Sequence, residues 1–187
     1  LTSLRGADEQ KLKDGDEIAQ VTDGENISEL LFVSDKQRIY RTKASDFDTC
    51  KASALGDYIP AKLGFEKDEK AIAMDVDTKF DSKHFVIYIF ENGKGVKLPL
   101  SLYETKTPRK KLVAAYSAAS PIVAAFFVSE NEDIILVNSQ NKAIVINTKL
   151  IPEKATRTAG GVTLFTLKND QTITVASRDI ENFAGSA

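Results

Sequence analysis

The residues best suited to chemistry in this sequence are its cations. Lys106-Thr-Pro-Arg-Lys-Lys111 places four positive charges in six residues. A run of that density neutralises phosphates and releases their condensed counterions, and it equally suits a solvated loop. Covalent, metal and nucleotide chemistry find less to work with. His84 is the only histidine and Cys50 the only cysteine, and the partners that a catalytic triad or a zinc site needs are missing around them. Asp14, Asp16 and Glu17, and again Glu66, Asp68 and Glu69, read as solvated turns. The first group lacks the spacing of a calcium-binding loop. Neither a GxGxxG nor a GxxxxGK[ST] pattern occurs, so no nucleotide site is read. The expectation is a chain with no catalytic residue, no metal and no cofactor.

The charge is unevenly spread. The chain carries a net charge of -2, but residues 1–26 hold -4, residues 27–79 hold -1, residues 83–128 hold +5 and residues 132–182 hold zero, with Asp81 and Glu130 between them. Phosphate binding depends on such local clustering rather than on the sum. The hydrophobic fraction of 42% is enough for a core, and no apolar run approaches the roughly 18 residues of a membrane span. The polar first residues do not resemble a signal peptide. A lone cysteine fits a reducing, cytoplasmic setting.

The elements that position these cations repeat. Phe85 to Tyr116 opens with the apolar run FVIYIF, turns at Asn92-Gly93 and resumes with GKGVKLPL. Asn-Gly supplies the positive φ of a tight hairpin. The pattern recurs before it, with LLFVS, a turn at Asp35 to Gln37 and Arg38 to Lys43, and after it, with DIILVN, a turn at Gln140-Asn141 and Ala143 to Asn147. Each hairpin leads to a polar loop and then to further short β-rich runs, such as KAIAMDV, IVAAFFV and QTITVAS. Tyr103 aligns with Ile151, Lys106 with Lys154 and Arg109 with Arg157, while Tyr40 aligns with Val96 and Arg41 with Lys97. A period near 50 residues with about four short strands predicts propeller-like blades. The expected fold is all-β: repeats over about 27–79, 83–128 and 132–182, within a domain of residues 18–180. A partial strand near Ile18 to Val21 and a linker over residues 1–17 precede them. Three repeats are too few for a common closed ring, so an open arc is expected.

Alternation in the second hairpin strands puts Tyr40, Val96 and Ile144 on one face, continued by Thr42, Leu98 and Ile146, and predicts that this face meets the core. The opposite face carries Arg41, Lys97 and Val145, with Lys43 beside the first, and is expected to be solvated. Lysines on such a face also deter edge aggregation.

The third repeat, IILVNSQNKAIVINTKLIPEKATRTAGGVTLFTLK, is similar to a blade of the C-terminal domain of bacterial type IIA topoisomerase A subunits, those of DNA gyrase and topoisomerase IV. The stretches LLFVSDKQRIYRTKASDF, KASALGDYIPAKLGFEKDEKAIAM and GKGVKLPLSLYETKTPRKKLVAAYS resemble the same family, in order and at blade spacing, over about residues 17 to 177. The resemblance implies a β-pinwheel, with strand exchange between blades, that binds duplex DNA on its outer rim and bends it. It implies a non-catalytic part of an ATP-dependent type II DNA topoisomerase, working with an ATPase B subunit, and with the catalytic core that lies in its own polypeptide. The family's catalytic tyrosine lies in a separate N-terminal domain. The basic glycine-rich box of gyrase, Q-R-R-G-G-K-G, is absent; NGKGVK and RTAGGV do not fit it, which favours a topoisomerase IV-like or divergent form. With the resemblance added, the expected DNA contacts are Arg41, Lys43, Lys94, Lys97, Lys106, Arg109, Lys110, Lys111, Lys154 and Arg157. A propeller-type protein-interaction module without a DNA role is the other class the sequence allows.

Overall fold

The computed structural model describes residues 14–15, 20–25, 27–50, 54, 56–107 and 109–181. The expected linker falls outside them except for residues 14 and 15, which form a turn. Of the expected first strand, residues 18 and 19 lie outside the described residues, and residues 20 and 21 are not in a strand.

The chain is all-β, and three hairpins form its frame. They are β1 (Glu29–Ser34) with β2 (Ile39–Lys43), β4 (Phe85–Phe90) with β5 (Lys94–Pro99), and β8 (Asp133–Asn138) with β9 (Ala143–Asn147). Their turns share one device. Gln37, Gly93 and Asn141 occupy the same place in each, with φ of 55°, 80° and 58°. Gly93 is required twice over, because a Cβ there would also meet the Phe165 carbonyl oxygen at 2.3 Å. In the second and third turns a preceding asparagine closes the backbone. Asn92 Oδ1 accepts from the Lys94 N–H, and Asn138 Oδ1 accepts from those of Gln140 and Lys142.

On its inner side each hairpin gains one strand from its own repeat: β3 (Ala71–Val76) on β1, β7 (Ile122–Val128) on β4 and β11 (Ile173–Ser177) on β8, all antiparallel. The fourth strand comes from the next repeat. β6 (Lys111–Leu112), from the second repeat, pairs with β2, and β10 (Val162–Thr163), from the third, pairs with β5. The sheet orders are therefore β3-β1-β2-β6, β10-β5-β4-β7 and β11-β8-β9. The third sheet has three strands, with no fourth on β9 among the described residues. An α-helix, α1 (Ile59–Leu63), lies inside the long loop of the first repeat, started by Pro60 and stopped by Gly64 at φ 69°.

The blades stack face to face, which alters the expected division between core and solvent. One cluster joins Leu31, Val33 and Ile39 of the first sheet to Val86, Tyr88, Val96 and Leu98 of the second. Another joins Ile87 and Ile89 of the second to Ile134 and Leu136 of the third. The remaining face of the first sheet, with Leu30, Phe32 and Tyr40, is covered by Ile59, Leu63 and Phe65 around α1. Both faces of the first two sheets are thus buried, and the position that holds Arg41 and Lys97 points toward the neighbouring blade. That is why Lys97 is only 9% exposed, where a solvated face was expected. No blade among the described residues covers the far face of the third sheet, and there Val145 is 52% exposed.

Candidate nucleic-acid interface

Strand exchange carries the basic loop of the second repeat onto the first blade. The loop leaves the core at Tyr103 and re-enters it at Leu112, both buried. Its ends are tied by buried hydroxyls. Tyr103 donates to the Ala115 carbonyl at 2.7 Å and shares a 2.8 Å bond with the Tyr88 hydroxyl. Tyr116 donates to the Ser34 carbonyl in the first hairpin at 2.5 Å. Burial raises the pKa of all three phenols, that of Tyr116 to about 12, so they act as neutral struts.

Pinned in this way, the loop lays Lys111 opposite Tyr40, and the Arg41 N–H donates to the Lys110 carbonyl at 2.8 Å. Beside this contact lies a surface groove of about 400 Å3, lined by Glu29, Arg41, Thr42, Lys43, Asp46, Arg109 and Lys110. A second groove of about 270 Å3 adjoins it, sharing Arg41, Thr42, Asp46 and Lys110 and adding Lys62. Sequence reasoning missed Lys62 because it sits in the long loop that the other repeats lack.

The cations differ in how free they are. Lys43, Lys106, Arg109 and Lys110 are exposed and make no ion pair among the described residues. Lys111 is exposed, 3.9 Å from Glu66 and above the Tyr40 ring. Arg41 is engaged: its Nε donates to Glu29 Oε1, and its guanidinium carbon lies 4.4 Å from the Phe80 ring centroid. Asp46 also lines the groove. The Lys43 backbone N–H, then the Thr42 hydroxyl and the charge of Lys110, hold its carboxyl below the usual range, so it remains an anion facing the cations.

The equivalent junction between the second and third blades is built otherwise. Lys97 packs its ammonium 4.5 Å from the Phe85 ring centroid, between the two sheets. The third-repeat loop meets it at Lys154, whose N–H donates to the Lys97 carbonyl at 3.0 Å. In the first junction the contact has the opposite sense, the Arg41 N–H donating to the Lys110 carbonyl. The alignment that places Tyr103 with Ile151 has both residues buried; by the exchanged strands, where Leu112 and Val162 pair at equivalent places on β2 and β5, the register has slipped, so Arg109 no longer falls opposite Arg157. Lys154 and Arg157 are half-buried, the latter with its charge felt at the Tyr88 and Tyr103 hydroxyls. Lys94 is exposed on β5, opposite Thr163.

The acidic turn of the first repeat is not wholly solvated as expected. Glu69 is buried and accepts from the Ser34 hydroxyl at 2.6 Å, the Tyr40 hydroxyl at 3.0 Å, Arg38 Nη1 at 3.0 Å and the Glu66 N–H at 2.8 Å. Burial works to raise its pKa, but these donors and the charge of Arg38 outweigh it and hold the carboxyl below the ordinary range. Its role is to lock the first hairpin. His84 faces Asp81, Nδ1 to Oδ1 at 2.8 Å, in the turn that enters β4. Among the described residues no group of three or more His, Cys, Asp or Glu could hold a metal ion, and no helix is long and apolar enough to cross a membrane.

Comparison with known proteins returns to the family that the sequence resembles. A family model, the DNA gyrase C-terminal domain, beta-propeller, matches residues 28–56 and 132–177. The DNA gyrase A subunit of Streptomyces coelicolor is 24% identical over 147 residues, covering 75% of this chain and 17% of its own length. The DNA topoisomerase 4 A subunit of Staphylococcus aureus is 21% identical over 187 aligned positions, covering 97% and 23%. The chain thus spans about a fifth of the length of these curated relatives. A solved C-terminal domain of DNA topoisomerase IV superposes with a TM-score of 0.79 at 19% identity, over 94% of this chain and 56% of that one. The C-terminal domain of E. coli ParC gives 0.64 at 12% identity, over 91% and 69%. The structural likeness is one of fold, and it bears out the open, propeller-like architecture. Sequence and structure comparisons together bear out the resemblance to C-terminal domains of topoisomerase IV and gyrase A subunits over most of the chain.

Proposed function

We propose that this chain, like the topoisomerase A-subunit domains it resembles, is a non-catalytic, cytoplasmic module that binds duplex DNA and bends it. It would belong to a type II DNA topoisomerase whose cleavage chemistry and ATPase reside elsewhere, the first in the catalytic core of the same polypeptide and the second in a B subunit. The observation that carries the reading is the groove between the first two blades. Lys43, Arg109 and Lys110 line it and stay unpaired among the described residues, held by a loop pinned at both ends. Cations spread along a sheet edge suit backbone phosphates rather than base edges, so recognition is of charge and shape. The duplex crosses the junction of the first and second blades, with Lys106 and Lys111 extending the contact.

A protein-interaction role is the second reading. It is favoured by the carboxylates of Glu29 and Asp46 interleaved with the cations of the same groove. A salt titration with random-sequence duplex separates the two. With about four phosphates neutralised, log K falls against log[salt] with a slope of roughly -4. Absence of binding at low salt leaves the interaction module.

A further inference from the structure

Arg41 is the one guanidinium of the groove that is already engaged. Its neighbour is set by strand pairing: Leu31 lies opposite Arg41 and Glu29 opposite Lys43, so Glu29 and Arg41 are diagonal neighbours on one face. Arg41 Nε donates to Glu29 Oε1, while its two Nη groups have no hydrogen-bond partner among the described residues. The Phe80 ring lies 4.4 Å from the guanidinium carbon and orients the plane. The Arg41 side chain is 13% exposed and that of Glu29 39%, so the carboxylate is the part of the pair that solvent, or a ligand in the groove, meets first. At the equivalent place in the second blade Phe85 replaces Glu29, and Lys97 is buried without a carboxylate partner among the described residues.

We propose that the Glu29–Arg41 pair is an exchangeable lock: a backbone phosphate entering the groove draws the Arg41 guanidinium from Glu29, making Arg41 a reserve contact whose engagement Glu29 opposes. The inference rests on the DNA-binding reading above. Its physical basis is a difference in bonding. The resting pair uses one N–H, whereas a phosphate accepts two parallel N–H bonds from the fork. A carboxylate this exposed holds its partner weakly, and it repels a phosphate in the same groove. Phe80 supports the guanidinium in either state, so the exchange needs only a small swing of the side chain.

The test is the coupling between the two residues, read in the salt-dependent binding of a random-sequence duplex to the full chain. Glu29→Gln is expected to tighten binding about threefold to fivefold and to steepen the salt slope by about one, the signature of one added phosphate contact. In an Arg41→Ala background the same substitution is expected to leave the slope unchanged. Glu29→Ala provides a second route to the same comparison, and thermal melting checks that each variant is folded. An equal gain and an equal slope change in both backgrounds would mean that Glu29 acts only as a negative charge, and would overturn the lock. Glu29→Gln leaving binding unchanged or weaker overturns it as well. Failure of the unsubstituted chain to bind duplex at low salt overturns the functional reading itself, a different result from either.

Discussion

The first and second blades meet through the same device as the second and third, and the two junctions present different surfaces. In both, a loop from the later repeat crosses the edge of the earlier sheet and donates a two-residue strand, β6 on β2 and β10 on β5. In both, a cation stands at the same hairpin position and stacks on a phenylalanine, Arg41 on Phe80 and Lys97 on Phe85. The first junction opens into a groove with Lys43, Arg109 and Lys110 around it. At the second, Lys97 is sealed between sheets, and Pro99 and Gly95 stand where the first blade has Lys43 and Ile39. A cation at a repeat position is therefore available to a ligand only if its cross-strand neighbour and the arriving loop leave it so. Counting charges per repeat is a weaker guide than knowing which residue lies opposite each.

The largest expected effect separates the two junctions directly. Changing Lys43, Arg109 and Lys110 together to Ala should flatten the salt slope of duplex binding by roughly two to three, and cost on the order of a hundredfold in affinity at 0.1 M salt. Lys154→Ala with Arg157→Ala should flatten it by less than about one. Equal losses would place the second junction on the DNA as well.

The next effect concerns stability of the first blade alone. Glu69→Ala strands the buried hydroxyls of Ser34 and Tyr40 and removes a partner of Arg38, at a cost of about 3 kcal/mol. Because the Glu69 carboxyl is held below its ordinary range when folded, its contribution is full above the unfolded carboxylate pKa of about 4.3. It is lost as pH falls through the lower folded value. Urea denaturation across this acid range should show the unsubstituted chain losing its advantage over Glu69→Gln. Parallel curves for the two would refute the role given to Glu69.

The smallest effect tests the buried Lys97. Lys97→Ala removes packing against Phe85 and should cost about 1 kcal/mol of stability, while Lys97→Met, which keeps the apolar stem, should cost less. Both should retain DNA affinity within about twofold, since the ammonium does not face the groove. A salt slope flattened by Lys97→Met would put the ammonium on the ligand.

The repeat and its turns were legible because they follow local rules. Asn92-Gly93 and the apolar run of β4 declare a hairpin without tertiary context, and Gln37, Gly93 and Asn141 recur in register with φ of 55°, 80° and 58°. The facing of Lys97 was not legible from alternation in β5, because alternation presumes one solvated face. The signal against that presumption lay in the partner strand: FVIYIF is an unbroken apolar run, as a strand buried on both sides requires. The groove itself was half legible. The density of the loop Lys106 to Lys111 pointed to it, but its closure by Glu29, Asp46 and Lys43 depends on where β6 lands on β2, a non-local register that spacing does not reveal. Glu69 looked like a solvated turn residue because nothing nearby in sequence announces Ser34 and Tyr40 as its donors.

The central claim is that DNA lies across the first junction and not the second. Amide chemical-shift mapping of the isotopically labelled chain with a short random-sequence duplex tests it without any substitution. The account predicts that the strongest perturbations fall on residues 41–46 and 104–112, with residues 149–163 little changed. Perturbations centred on residues 149–163, with the first set silent, would contradict it.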